Sequence, residues 1–105
     1  MIKLQSQGFE WDDGNREKCQ KHGLTQTDIE NIFQQKSVYI APDPKRSSQE
    51  ERFLSIGRSR KGKPMIVVFM LRTINKEVLI RPISARYMHQ KEARKYEEEI
   101  TKNEK

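Results

Sequence analysis

Cysteine is all but absent from this sequence. Cys19 stands alone, so no internal disulfide and no cysteine-based zinc cage can form, which fits a reducing compartment. Long apolar runs are missing as well. The longest, Met65 to Leu71, spans seven residues and is far too short to cross a membrane. Residues 1–7 hold no hydrophobic segment of signal-peptide length, so a cytoplasmic location is expected. The five glycines are scattered and build no Gly-rich phosphate loop. There is no internal repeat, and no Ser-His-Asp or Cys-His spacing supports a nucleophile. Asp12 and Asp13 are adjacent, so their side chains diverge on a helix and an acid/base pair is not expected. Neither a metal nor a cofactor is expected. With 33% apolar against 34% charged residues in 105, the chain has material for a single domain with a small interior. An α+β arrangement, a three- or four-stranded sheet covered by helices on one face, would use most of it. Residues 1–8 and 101–105 are expected to be flexible.

What the chain does have is positive charge, and it is concentrated. Residues 52–86 carry Arg52, Arg58, Arg60, Lys61, Lys63, Arg72, Lys76, Arg81 and Arg86 against Glu77 alone, a surplus of eight. The whole chain is +6, so everything else nets −2. A field concentrated in this way draws polyanions. A solvated cationic face is the plainer reading of any charge run. It is weakened here because the arginines fall within predicted strands.

Taken in order, Gly8 to Trp11 reads as extended, with Trp11 as a core anchor. Asp12 or Asp13 caps a helix running to about His22, and Gly23 supplies the left-handed stop. Trp11, Asn15, Cys19 and His22 then share one face. Cys19 there reads as a small buried residue. His22 reads as a helix C-terminal cap or as a substrate contact. Thr25 or Thr27 opens a second helix, Thr27 and Glu30 being spaced as a capping box, with Ile29, Ile32 and Phe33 as its apolar stripe. Ser37 to Ala41 can form an edge strand, and the polar stretch Pro42 to Glu51 a mobile loop. Arg52 to Arg60 is a strand with Phe53 and Ser55 on one face and Leu54, Ile56 and Arg58 on the other. A hairpin loop around Gly62 leads into Met65 to Leu71, apolar on both faces and therefore central. Arg72 to Lys76 turns the chain into the last strand, Glu77 to Arg86. His89 or Met88 opens a final helix with Ala93, Tyr96 and Ile100 as a thin stripe, expected to dock weakly and to fray from Thr101.

The last strand carries the chemistry. Strict alternation puts Leu79, Arg81, Ile83 and Ala85 on one face and Val78, Ile80, Ser84 and Arg86 on the other. Pro82 lacks a donor and belongs at a bulge or an unpaired edge, and a kink there can re-aim Arg81 or Ser84. A strand that spends two positions on arginine holds something anionic. Two anions fit: an internal carboxylate such as Glu50, Glu51 or Glu92, or an RNA phosphate.

Ile83-Ser84-Ala85-Arg86, preceded by Arg81 and followed by Lys91-Glu92 and Tyr96-Glu97, resembles the C-terminal signature of the BrnT toxins. Phe9-Glu10-Trp11-Asp12 followed by Lys21-His22-Gly23 is similar to that family's opening motif. Arg52-Phe53 through Ile56-Gly57-Arg58 and the apolar run from Met65 fall between them in the expected order. The resemblance covers roughly Phe9 to Glu97. It departs at Cys19, where Asn is usual, and at Pro82, where an apolar β-former is usual. It implies a RelE-like fold with two N-terminal helices and one C-terminal helix on a small, mainly antiparallel four-stranded sheet. It implies a ribonuclease toxin of a type II toxin–antitoxin pair, acting on translation and growth. It also implies a ribbon-helix-helix antitoxin of the BrnA kind, through which alone the toxin would meet DNA. No membrane partner is implied.

Metal-independent RNA cleavage needs in-line attack by the 2′-hydroxyl, charge stabilisation on the phosphate and protonation of the leaving oxygen. The expectation is that the guanidinium groups of Arg58, Arg81 and Arg86 converge on one phosphate, with His89 transferring the proton. Arg72, Ser84, Tyr87 and Lys61 are the expected substrate contacts. His89 in water at a helix start, and Ser84 satisfying a neighbouring carbonyl, are the plainer readings. A non-catalytic nucleic-acid-binding module on the same basic sheet is the alternative function, and a scaffold that binds only a protein partner is a third.

Overall fold

The computed structural model describes residues 8–35, 39–42 and 52–103. In chain order these form α1 (Asp13–Gln20), α2 (Gln26–Ile32), β1 (Tyr39–Pro42), β2 (Phe53–Arg58), β3 (Pro64–Ile74), β4 (Glu77–Tyr87) and α3 (Gln90–Asn103). The strands make one antiparallel sheet in the order β1-β2-β3-β4. This is the α+β arrangement expected. The stretch Pro42 to Glu51 lies outside the described residues beyond Pro42, as do residues 1–7, Glu50 and the side chain of Ile100. Gly8 is held on the sheet, its carbonyl accepting from the Ile80 amide at 2.9 Å while Glu10 donates to the Ile80 carbonyl at 2.8 Å.

Local chemistry explains most boundaries. Asp12 accepts from the Asn15 amide and Asn15 Oδ1 accepts from the Asp12 amide, a reciprocal capping box that starts α1. The helix ends at Gln20, two residues short of His22, and Gly23 follows at φ 87°. Thr25 caps α2 by accepting from the Asp28 amide, so Thr27 and Glu30 are not the capping box their spacing suggested. Glu30 instead accepts from Trp11 Nε1 at 2.8 Å. The β3–β4 hairpin is tighter than expected. Arg72, Thr73 and Ile74 stay in the strand, and Asn75 and Lys76 make the turn with φ of 51° and 68°, as a twisted two-residue hairpin requires. Helical backbone continues through Asn103, past the expected end at Ile100.

The helices do not share one face. On one side α1 and α2 bury Cys19, Leu24, Ile29 and Ile32 against Met65, Val67 and Ala85, with Phe69 and Ile80 continuing the core toward β1. Gly57 allows this close approach, because a Cβ there would meet Ile32 at 3.0 Å. Burial pushes the Cys19 thiol up to about 11, so it is a packing residue and not a thiolate. On the other side Met88, just ahead of α3, and Ala93 and Tyr96 of α3 cover Ile56 and Ile66. Both faces of β2 and β3 are apolar, as the sequence reading of Met65 to Leu71 requires, and that is what gives α3 a second surface to cover.

Candidate functional site

A β-bulge decides what the α3 face carries. Val68 pairs with Ser84 but Phe69 pairs with Pro82, so Ile83 is the extra residue in β4. Without the bulge Arg81 and Arg86, five positions apart, would point to opposite faces. With it, Arg81 (opposite Met70), Ser84 (opposite Val68) and Arg86 (opposite Ile66) share the face away from α1 and α2. The strict alternation read from the sequence is therefore corrected on the N-terminal side of Pro82: Arg81 sits with Ser84 and Arg86, while Ile80, Pro82 and Ala85 are buried together. Pro82 itself is fully buried, and its carbonyl accepts from Asn15 Nδ2 at 2.8 Å. The same amide donates to the Glu10 carbonyl at 3.0 Å, so α1 pins the bulge to the N-terminal segment.

Two depressions open on this face. The first, about 520 Å³, has Leu54, Ile66 and Val68 as its floor and is lined as well by Ser84 and Arg86 of β4, Glu92 and Tyr96 of α3, and Lys18, Lys21 and His22. Arg86 donates through Nη1 and Nη2 to both oxygens of Glu92, each at 2.9 Å, and through Nη1 to the Tyr87 carbonyl. That uses one end of the guanidinium. The Nε–H and the second hydrogen of Nη2, which lie side by side, remain for another acceptor. Glu92 holds the Arg86 cation firmly, and Arg86 in turn draws the Glu92 carboxyl below its ordinary range. Lys18, Lys21 and His22 make no hydrogen bond or ion pair with any described residue.

The second depression, about 560 Å³, is lined by Gly14, Asn15 and Lys18 of α1, with Arg52, Met70, Arg72, Arg81 and Ile83. Glu10 Oε1 accepts from Arg72 Nη1 at 3.0 Å and from Arg81 Nη1 at 3.2 Å, and Arg81 Nη2 meets Asp12 Oδ2 at 2.7 Å. Asp12 raises the Arg81 pKa, and Glu10 adds to the effect. The Asn15 amide and Arg81 together lower the Asp12 carboxyl.

The expected convergence of Arg58, Arg81 and Arg86 on one point is not what the fold builds. Arg86 and Ser84 line the first depression, Arg81 and Arg72 the second. Arg58, at the end of β2, pairs with Glu97 of α3 and lines neither. Each of the three is held by carboxylates; of the expected internal partners, Glu92 takes Arg86, while Glu50 and Glu51 lie outside the described residues. Tyr87 faces the opposite side, packed against the α1/α2 core with Lys63 Nζ 5.4 Å from its ring centroid. Lys61 is exposed in the β2–β3 loop, and His89 is exposed ahead of α3; neither lines a depression. The histidine that reaches the groove is His22, with Lys18 and Lys21 beside it. Its signal in the sequence was the Lys21-His22-Gly23 turn, which places His22 beyond the end of α1 and so frees the ring from helix capping.

Among the described residues there is no helix long and apolar enough to cross a membrane and no group of His, Cys, Asp and Glu placed to hold a metal. No curated protein matches the chain. The family model for BrnT, the ribonuclease toxin of type II toxin–antitoxin systems, matches residues 11–92, a span that takes in α1, the whole sheet, Lys21-His22-Gly23, Arg86 and Glu92. The chain therefore belongs to the BrnT family of ribonuclease toxins, and with that membership come an RNA target and a cognate antitoxin.

Proposed function

We propose that this toxin cleaves single-stranded RNA by 2′-hydroxyl attack in the first depression, with no metal. One observation carries the reading: Lys21 and His22, from the turn after α1, line the same depression as Ser84 and Arg86 of β4. A phosphate seated there meets the unused side of the Arg86 guanidinium, whose orientation Glu92 holds in advance. Preorganised donors of this kind are effective where charge develops on the phosphate, and losing one costs on the order of 10²–10³ in rate. Lys18 and Lys21 add positive charge around the phosphate. The 2′-oxygen bonds to phosphorus and its proton passes to water, while the bond from phosphorus to the 5′-oxygen breaks; His22 gives that leaving oxygen its proton, and Ser84 donates to a phosphate oxygen. Arg58 and Arg81 act outside this centre, and His89 has no part in it. The antitoxin is proposed to be a ribbon-helix-helix protein of the BrnA kind, placing an acidic segment over the cationic face so that it excludes RNA.

The test is incubation of the purified chain with single-stranded RNA, followed by analysis of the ends. Cyclic-phosphate termini are expected, lost in His22→Ala and in Arg86→Ala while both variants stay folded. Binding with steep salt dependence but no cleavage would instead favour a non-catalytic RNA-binding module, the function consistent with Arg58, Arg72, Arg81 and Arg86 each being held by a carboxylate.

A further inference from the structure

The second depression has no role in the chemistry above, yet four cations gather around it. Lys18, Arg52, Arg72 and Arg81 surround it, against Glu10 and Asp12. Arg52 and Lys18 have no partner among the described residues. Arg72 and Arg81 converge on a single oxygen of Glu10, the arrangement in which two guanidinium groups take a phosphate oxygen. Arg81 is fixed in place, its side chain only 21% exposed and tied to Asp12, which the α1 capping box holds.

Its position relative to the first groove matters as much as its charge. The bulge at Ile83 puts both on one face, and Lys18 lines both. Val68 lies in the floor of one and Met70 in the floor of the other, two residues along β3, or roughly 7 Å. The floor between them is apolar, with Val68, Met70 and Ile83. Paired cationic walls along an apolar floor suit a nucleic-acid strand, whose backbone follows the charge while sugars and bases lie on the apolar surface.

We infer that the Lys18, Arg52, Arg72 and Arg81 depression is a second phosphate site. It holds a phosphodiester one or more nucleotides away from the scissile one, on the same single-stranded RNA. This rests on the proposed placement of RNA in the first groove and extends it: the toxin grips a stretch of strand and not an isolated linkage.

The experiment compares binding of fluorescent, uncleavable 2′-O-methyl RNAs of two and six nucleotides to the wild-type chain and to Arg52→Gln/Arg72→Gln. The wild type should bind the longer strand more tightly, on the order of tenfold, and the double variant should lose that advantage while its affinity for the dinucleotide stays the same. The salt dependence for the longer strand should become shallower by about 0.7 in logarithmic slope per contact removed. Arg52→Gln alone, which breaks no hydrogen bond or ion pair among the described residues, should give part of the effect. An undiminished length advantage in the double variant, or none in the wild type, overturns the inference. So does a site for acidic peptide instead, seen as a Glu-rich peptide losing affinity in the double variant while RNA binding is unchanged. Cleavage plays no part in these measurements, so loss of the length advantage in an inactive protein would keep the second site and remove only the catalytic reading.

Discussion

On the face covered by α1 and α2, β3 and β4 present Met65, Val67, Phe69, Ile80, Pro82 and Ala85, all buried. On the face that α3 partly covers, the alternate positions present Ile66, Val68, Met70 and Arg72 from β3 and Arg81, Ser84 and Arg86 from β4. One backbone serves both, so the register that packs the core also aims the arginines. The single extra residue at Ile83 lets one strand satisfy the core on both sides of the bulge and still put both arginines on the other face. The comparison shows where tolerance lies. Substitutions on the core face act through stability, and substitutions on the groove face act through binding and rate.

The comparison is broken most severely at Phe69, which is fully buried among Phe33, Phe53 and Ile80. Phe69→Ala should cost about 3–5 kcal/mol in chemical denaturation, whereas Val68→Ala on the other face should cost much less. Arg86→Ala should reverse the pattern, lowering RNA cleavage on the order of 10²–10³ with little change in melting temperature, because its pair with Glu92 is half-exposed. Asn15→Ala removes the amide that ties the bulge carbonyl to Glu10, and should cost about 1–3 kcal/mol in the same denaturation experiment.

The smallest effect is electrostatic. Arg86 lowers the Glu92 carboxyl from its ordinary 4.5, so the pair stabilises the fold above that value and the contribution disappears as pH falls through the lowered one. Thermal melts of the wild type and Arg86→Gln should differ near neutral pH by an amount worth about 0.2–1 kcal/mol and coincide in strong acid. A difference that grew as the pH fell would contradict the assignment.

Much of the architecture was legible in the residues. Gly23, Asp12 or Asp13, and Thr25 or Thr27 mark helix ends because capping is a short-range interaction between neighbours in sequence. The two-sided apolar run in β3 announced a central strand. Pro82 announced a bulge or an unpaired edge, since a residue without an amide hydrogen cannot continue a regular ladder. Other features depend on partners far along the chain. Nothing local says that Glu10 and Asp12 meet Arg81, some seventy positions away, or that Glu97 reaches Arg58. The pattern allowed His89 as the proton-transfer group because it lies near Arg86 in sequence, but it is His22 that lines the depression Arg86 lines.

The sequence by itself determined the class of the protein: a small α+β domain whose cations gather in its strands, with motifs in the order that the BrnT family shows. Only the tertiary structure decided which cations act together. Spacing along a strand fixes which face a side chain takes only while the ladder is regular. One bulged residue, held by an amide from the first helix, changed the face of Arg81 and so divided the arginines between two neighbouring sites.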